Sequence, residues 1–217
     1  MKRKINFEKI HNERRAFLKD HKKEDYVAIE GDNNILISAP HGVFQTRLGK
    51  KKVCEPGSLT TALYLSKKTH TYFIAKTKNN CDDANFDKKS PYKNEIKRLI
   101  KHCGVKYVLD FHGLAKKREM DINLGTDYGK NTMCNKVALD KLVGALNDNG
   151  FNVQIDIPFR GGGNTISGFS HLMGKDVFSI QIEINCGITN EYKNRKKFFC
   201  LLDVLENWIE SLAKQTI

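Results

Sequence analysis

Apolar residues recur along the chain with two different periods, and the switches between them lay out the elements. Phe7, Ile10, Phe17 and Leu18 fall at helical spacing with charges between them, which predicts an amphipathic helix over residues 7–19. Tyr26-Val-Ala-Ile-Glu30 and Ile35-Leu-Ile-Ser-Ala39, joined by Gly31-Asp-Asn-Asn34, predict a β-hairpin. A polar loop over 43–57 leads to a helix capped by Ser58, with Leu59, Ala62, Leu63 and Leu65 on its apolar face. Residues 71–75 read as a strand, 78–87 as an Asn/Asp-rich loop, and Ser90-Pro91 as the start of a helix that Gly104 ends. Strands are predicted over 106–111, 120–124 and 152–157, with a helix over 132–149 stopped by Gly150. A loop over 158–165, a strand alternating through 176–185 and a long helix over 190–213 complete the pattern. Strands alternating with helices at this pitch predict one α/β domain over residues 1–217, its mixed sheet largely parallel and flanked by helices.

Composition narrows the class. No run approaches the ~18 uninterrupted apolar residues of a membrane helix, and Met1–Ile10 carries charge without the apolar region of a secretory signal. A cytoplasmic location is the expectation. Six scattered cysteines without a Cys-x-x-Cys pair predict free thiols in a reducing compartment. The net charge of +12 raises the question of nucleic acid. The lysines come singly or in short groups, however, and no aromatic residues interleave with Lys50-Lys51-Lys52 to offer bases a stacking platform. A small anionic substrate is the partner expected of such a basic surface.

Two apolar strands end in histidine followed by glycine: Ile35–Ala39 leads into Pro40-His41-Gly42, and Tyr107-Val-Leu-Asp-Phe-His-Gly113 repeats the arrangement. The carboxyl ends of strands are where open α/β sheets place their ligand crevice. Period-two geometry puts Asp110 and His112 on one face, where a carboxylate can orient a metal-binding imidazole. The plainer reading has both bonded to backbone at a strand end. Glu55 opens a Pro-Gly turn ahead of a helix, and a glutamate there is often only a partner of the helix dipole. Taken together, His41, Glu55 and His112 make an N/N/O set that leaves zinc an open position, as in catalytic sites. Glu183 lies in an otherwise apolar strand, sharing a face with Gln181 and Asn185. It either takes a proton from a zinc-activated water or sits on the solvent side of an edge strand.

The set His41-Gly42, Glu55-Pro56-Gly57-Ser58, Asp110-Phe111-His112-Gly113 and Gln181-Ile182-Glu183-Ile184-Asn185 resembles the N-formylglutamate amidohydrolase-like family. Phage poly-γ-glutamate hydrolases are similar, and both belong to the zinc carboxypeptidase and aspartoacylase superfamily. The resemblance implies one zinc ion on His41, Glu55 and His112, Asp110 supporting a ligand, and Glu183 as general base and proton shuttle. It also implies hydrolysis of an amide next to a carboxylate, in an N-acyl amino acid or a γ-glutamyl polymer. Arg160, ahead of Gly161-Gly162-Gly163, is then the expected carboxylate partner in binding and catalysis, with Arg47 and Asn85 as further substrate contacts. The family motif places its first His and Glu a few residues apart. Here thirteen residues intervene, so 43–54 reads as an insertion, with Glu30 as the fallback ligand. Two other classes stand beside this one: a basic binding module without activity, and a cysteine hydrolase using Cys54 or Cys186.

Overall fold

The computed structural model describes residues 6–214, so the reading of residues 1–5 as the start of a non-secretory N-terminus lies outside the described residues. Among the described residues, nine strands and seven α-helices follow one another in an α/β order. Helix α1 (Phe7–Asp20) and strands β1 (Tyr26–Ile29) and β2 (Ile35–Ala39) come first, then the short strands β3 (Gln45–Arg47) and β4 (Lys50–Lys52). Helix α2 (Pro56–Thr69), β5 (Tyr72–Lys76), α3 (Pro91–His102), β6 (Tyr107–Leu114) and β7 (Ile122–Gly125) form the middle. Helix α4 (Lys136–Asp148), β8 (Val153–Ile155), α5 (Ile166–His171), β9 (Phe178–Asn185), α6 (Cys186–Asn190) and α7 (Arg195–Ala213) complete it.

Seven strands make one sheet in the order β1-β5-β2-β6-β9-β7-β8. The four strands β5, β2, β6 and β9 run parallel, while β1 pairs antiparallel with β5, β7 pairs antiparallel with β9, and β8 lies parallel to β7. The expected β1–β2 hairpin is not formed: β5 lies between the two strands and pairs with both. A buried parallel strand satisfies its ladder on both sides, and that gain outweighs the local turn signal of Gly31–Asn34. The polar loop 43–57 contains the β3–β4 hairpin, turned at Leu48 and Gly49 in left-handed conformations. Helix α2 starts at Pro56 with Glu55 at its cap, three residues ahead of the expected cap, so Ser58 lies inside the first turn. The predicted helix 132–149 divides into a 3-10 turn over Lys130–Asn135 and α4. Helix α5 follows the loop 158–165 and was not foreseen.

The sheet separates two unequal layers. On one face, alternate residues such as Ile37, Leu109, Phe111, Ile180 and Ile182 join α1, α2, α4 and α7 in the main core. On the other, Leu36, Ile74 and Val108 pack under α3 and α5 with Tyr92, Ile96, Leu99 and Ile166. This second core is confined to the amino ends of the strands. Further along the same face the alternate positions become Ser38, Asp110, His112, Gln181 and Glu183, all buried. Burying so many polar groups is costly unless they bond to one another or to a ligand. The apolar-to-polar change along one face is what positions the site.

Candidate metal centre

Three elements deliver the cluster to the carboxyl ends of the parallel strands. β2 hands His41 into the turn that follows it, β6 carries His112, and the cap of α2 supplies Glu55. The excursion between His41 and Glu55 is closed at its base, because the Glu55 N–H donates to the His41 carbonyl at 2.8 Å. Both His-Gly glycines are set by close approach. A methyl on Gly42 would stand 2.7 Å from the Leu59 side chain, and one on Gly113 would stand 3.2 Å from Glu55 Cβ. The Gly113 N–H donates to Glu55 Oε2 at 2.9 Å, which aims the carboxylate across the two imidazoles.

The imidazole rings stand 4.8 Å apart, almost perpendicular. Each turns Nδ1 toward Glu55, His41 at 3.0 Å from Oε1 and His112 at 3.4 Å from Oε2. Each also has Nε2 held by an aspartate: His41 by Asp83 at 3.0 Å, and His112 by Asp110 at 2.8 Å. Asp110 in turn accepts from the Ser38 hydroxyl at 2.8 Å. Asp83 accepts from Arg47 Nε at 2.8 Å, and the Arg47 guanidinium lies over the Phe86 ring. The same pattern therefore occurs twice: a carboxylate fixes the imidazole so that its other nitrogen points inward. The imidazoles are buried, whereas the Glu55 side chain is 22% exposed, so the cluster is open on one side.

Charge at the cluster is concentrated. Burial alone would lower the His41 imidazole, but the Glu55 charge and the hydrogen bonds of Asp83 and Glu55 outweigh it and raise it to about 9. For His112 burial is likewise overcome, chiefly by Asp110, and the ring is held well above its usual range. Burial would raise Asp83, yet His41 and Arg47 bring it to about 2. Together the carboxylates favour a positive charge at this point, which protons or a cation can supply. Ligand atoms of His41, Glu55 and His112 all lie within 4.8 Å of one another, and this group could hold a metal ion. Two imidazoles and a carboxylate suit a borderline divalent metal.

Glu183 stands directly across the β6–β9 pair from His112. Its strand lies inside the sheet and all eight of its residues are buried, which rules out the edge-strand reading. Burial drives the Glu183 carboxyl up to about 7. Gln181 Nε2 donates to its Oε1 at 2.6 Å, while Gln181 Oε1 has no partner among the described residues. Asn185 on the same face has another role: it gathers backbone carbonyls of the loop after β6.

The remaining expected contacts divide. Arg47 joins the cluster through Asp83. Arg160 is 3.4 Å from Asp127 through Nε and lies over Tyr128, so its nearest anion belongs to the protein. Asn85 accepts the Ile166 N–H at 2.7 Å and fixes the start of α5. Glu30 is exposed just past the end of β1, where Ile29 pairs with Phe73 at the start of β5, on the opposite edge from the cluster. Cys54 and Cys186 are free thiols, and the two imidazoles of the cluster are turned to carboxylates at each nitrogen, not to either thiol. Asp83 was not singled out by the sequence, where it is one of several acids in the 78–87 loop. Its support for His41 depends on the loop's path.

Replacing Asp110 by asparagine keeps its shape and removes the charge on His112 Nε2. Affinity for a divalent metal is expected to fall about 10–100-fold, measured by competition with a chromophoric chelator.

The fold is an α/β domain with a mostly parallel mixed sheet flanked by helices, and the His41, Glu55 and His112 cluster lies at the carboxyl ends of its parallel strands. The family model for N-formylglutamate amidohydrolase matches residues 90–188, a segment that contains Asp110, His112 and Glu183 and stops short of His41 and Glu55. That match spans a little under half of the chain. Among solved structures it is similar to N-formylglutamate amidohydrolase from Ralstonia eutropha, with TM-score 0.54 and 15% identity, covering 88% of this chain and 97% of that one. It is similar also to YNDL in a form described as apo and zinc-free, with TM-score 0.57 and 22% identity over 89% of this chain and 94% of that one. A bacteriophage poly-gamma-glutamate hydrolase matches with TM-score 0.54 and 11% identity over 85% and 87%. At these identities the structures speak to the fold. No curated protein matches the chain by sequence. No helix among the described residues is long and apolar enough to cross a membrane.

Proposed function

We propose that this protein is a zinc-dependent amidohydrolase that cleaves an amide next to a carboxylate, in an N-acyl amino acid of the N-formylglutamate kind. The observation that carries the reading is the convergence of His41 Nδ1, His112 Nδ1 and the Glu55 carboxylate, with Glu183 across the β6–β9 pair from His112. His41, Glu55 and His112 are the ligands in this reading, and the zinc-free description of one matched structure fits that choice of ion. When bound, zinc acts as a Lewis acid and brings the pKa of a coordinated water toward ~7.

The chain's own groups do the rest. Asp83 and Asp110 keep both Nε2 atoms occupied, so each Nδ1 faces inward without rearrangement. Gln181 occupies Glu183 Oε1 and leaves Oε2 to take the proton of the attacking water. Glu183 then delivers that proton to the departing amine. A carboxyl raised by burial to about 7 is suited to both steps, and a neighbouring cation would favour its ionised form. We also place the protein in the cytoplasm, on the strength of its free thiols. A γ-glutamyl polymer is the second substrate reading, favoured by the exposed Lys50-Lys51-Lys52 strand beside the cluster.

Metal analysis after gentle purification, paired with formate release from N-formyl-L-glutamate, tests the reading. One zinc per chain, with turnover lost on chelation and restored by zinc, is the expected result. Absence of zinc, with thermal stability unchanged on its addition, would overturn it.

A further inference from the structure

The carboxylate of such a substrate needs a cationic partner near Glu183, and the two arginines expected to serve are both already opposite carboxylates of the protein: Arg47 opposite Asp83 and Arg160 opposite Asp127. A third arginine stands in the loop that leaves β6 beyond His112. Asn185 fixes this loop from the face that carries Glu183, its Nδ2 donating to the carbonyls of Lys116, Arg118 and Met120 at 3.5, 3.0 and 3.1 Å. The backbone of Arg118 is therefore anchored although its side chain is exposed.

The side chain also has a direction. Its guanidinium carbon lies 5.7 Å from the centre of the Phe159 ring. Phe159 is held in place by its N–H, which donates to Asn123 Oδ1 at 3.2 Å. Asn123 is the register partner of Glu183 across the β7–β9 pair, so the two side chains share a face. Asn185, Glu183 and Asn123 thus lie on one face of the sheet, and Phe159, which bonds to Asn123, carries the Arg118 guanidinium over its ring. Among the described residues no carboxylate pairs with Arg118, while its neighbour Lys116 is taken by Glu191.

We propose that Arg118, anchored by Asn185 and laid over Phe159, is the residue that recognises the substrate carboxylate. The inference rests on the amidohydrolase reading and assigns its substrate-binding end. A planar guanidinium against an aromatic face keeps its edge free, and that edge matches a carboxylate with two parallel N–H bonds. Arg160 and Arg47 then act on the protein itself, the first on the turn around Asp127 and the second on His41 through Asp83.

The test uses glutarate, a dicarboxylate with no scissile amide, titrated by calorimetry into the zinc-supplemented full chain and its Arg118→Gln and Arg118→Lys variants. Arg118→Gln is expected to weaken glutarate about 10- to 100-fold, the range for charge-assisted hydrogen bonds. Arg118→Lys should fall between that variant and the wild type, since it keeps the charge and loses the fork. With N-formyl-L-glutamate the same loss should appear in KM. Equal glutarate affinity in wild type and Arg118→Gln, or no glutarate binding by the wild type, overturns the assignment. Glutarate binding that depends on Arg118 in a chain that does not hydrolyse N-formyl-L-glutamate would uphold it while refuting that substrate.

Discussion

Replacing His112 by alanine is expected to remove both metal and turnover, the largest single effect of any substitution in the chain. The imidazole is buried, its Nε2 is on Asp110, and its Nδ1 is one of three donors converging beside Glu55. Loss of a partner behind a ligand costs about 10–100-fold in metal affinity, and loss of the ligand itself should cost more than that. Zinc content and activity are to be measured on the same preparation, with circular dichroism to confirm that the sheet has formed. The variant also leaves Asp110 buried opposite only Ser38, so some loss of thermal stability is expected. His112→Asn, which keeps a polar group at the position, separates the two effects: it should fold better and still fail to retain zinc. Full zinc occupancy in either variant would refute the ligand assignment.

Glu183→Gln is expected to lower kcat by about 10²–10⁴, the usual contribution of a positioned general base. The amide has the shape of the carboxylate and still offers an oxygen to Gln181, so the strand should keep its geometry. What is lost is a group able to carry a proton between water and amine. Zinc stoichiometry should remain that of the wild type, because Glu183 is not among the proposed ligands. A steady-state assay beside metal analysis decides the matter. Activity within about tenfold of the wild type would move the proton transfer to another group, since general acid–base catalysis is worth more than that.

How far the site could be read in advance follows from the range of each signal. β2, β6 and β9 were legible because buried strands of a parallel sheet appear as short apolar runs. The pairing of Asp110 with His112 followed from strand geometry, and the structure gives their bond at 2.8 Å. Glu55 is distant from its motif partner His41 in sequence, and the Gly113 N–H that holds its carboxylate comes from a strand 58 residues away. Asp83 had no signal of its own, since its neighbours in 78–87 have the same composition and only the fold turns it toward His41. Arg118 lay hidden in the charged run Lys116-Lys117-Arg118-Glu119, which reads as solvated surface. The β1–β2 hairpin was misread for a related reason: a local turn signal says nothing of a strand that arrives thirty-odd residues later to lie between the two. β3 and β4 escaped notice because three lysines carry no apolar alternation.

The bond between Glu55 and His41 makes the segment between them a closed loop with one point of attachment. With its neck closed at 2.8 Å, the thirteen-residue excursion leaves and rejoins the cluster at one point, so His41 and Glu55 meet as if they were sequence neighbours. Loop-closure cost changes slowly with length, about 0.6 kcal/mol for each doubling. A hairpin of a different size would therefore cost little at this point. The hairpin can thus change in length or charge while the bond at its base stays in place.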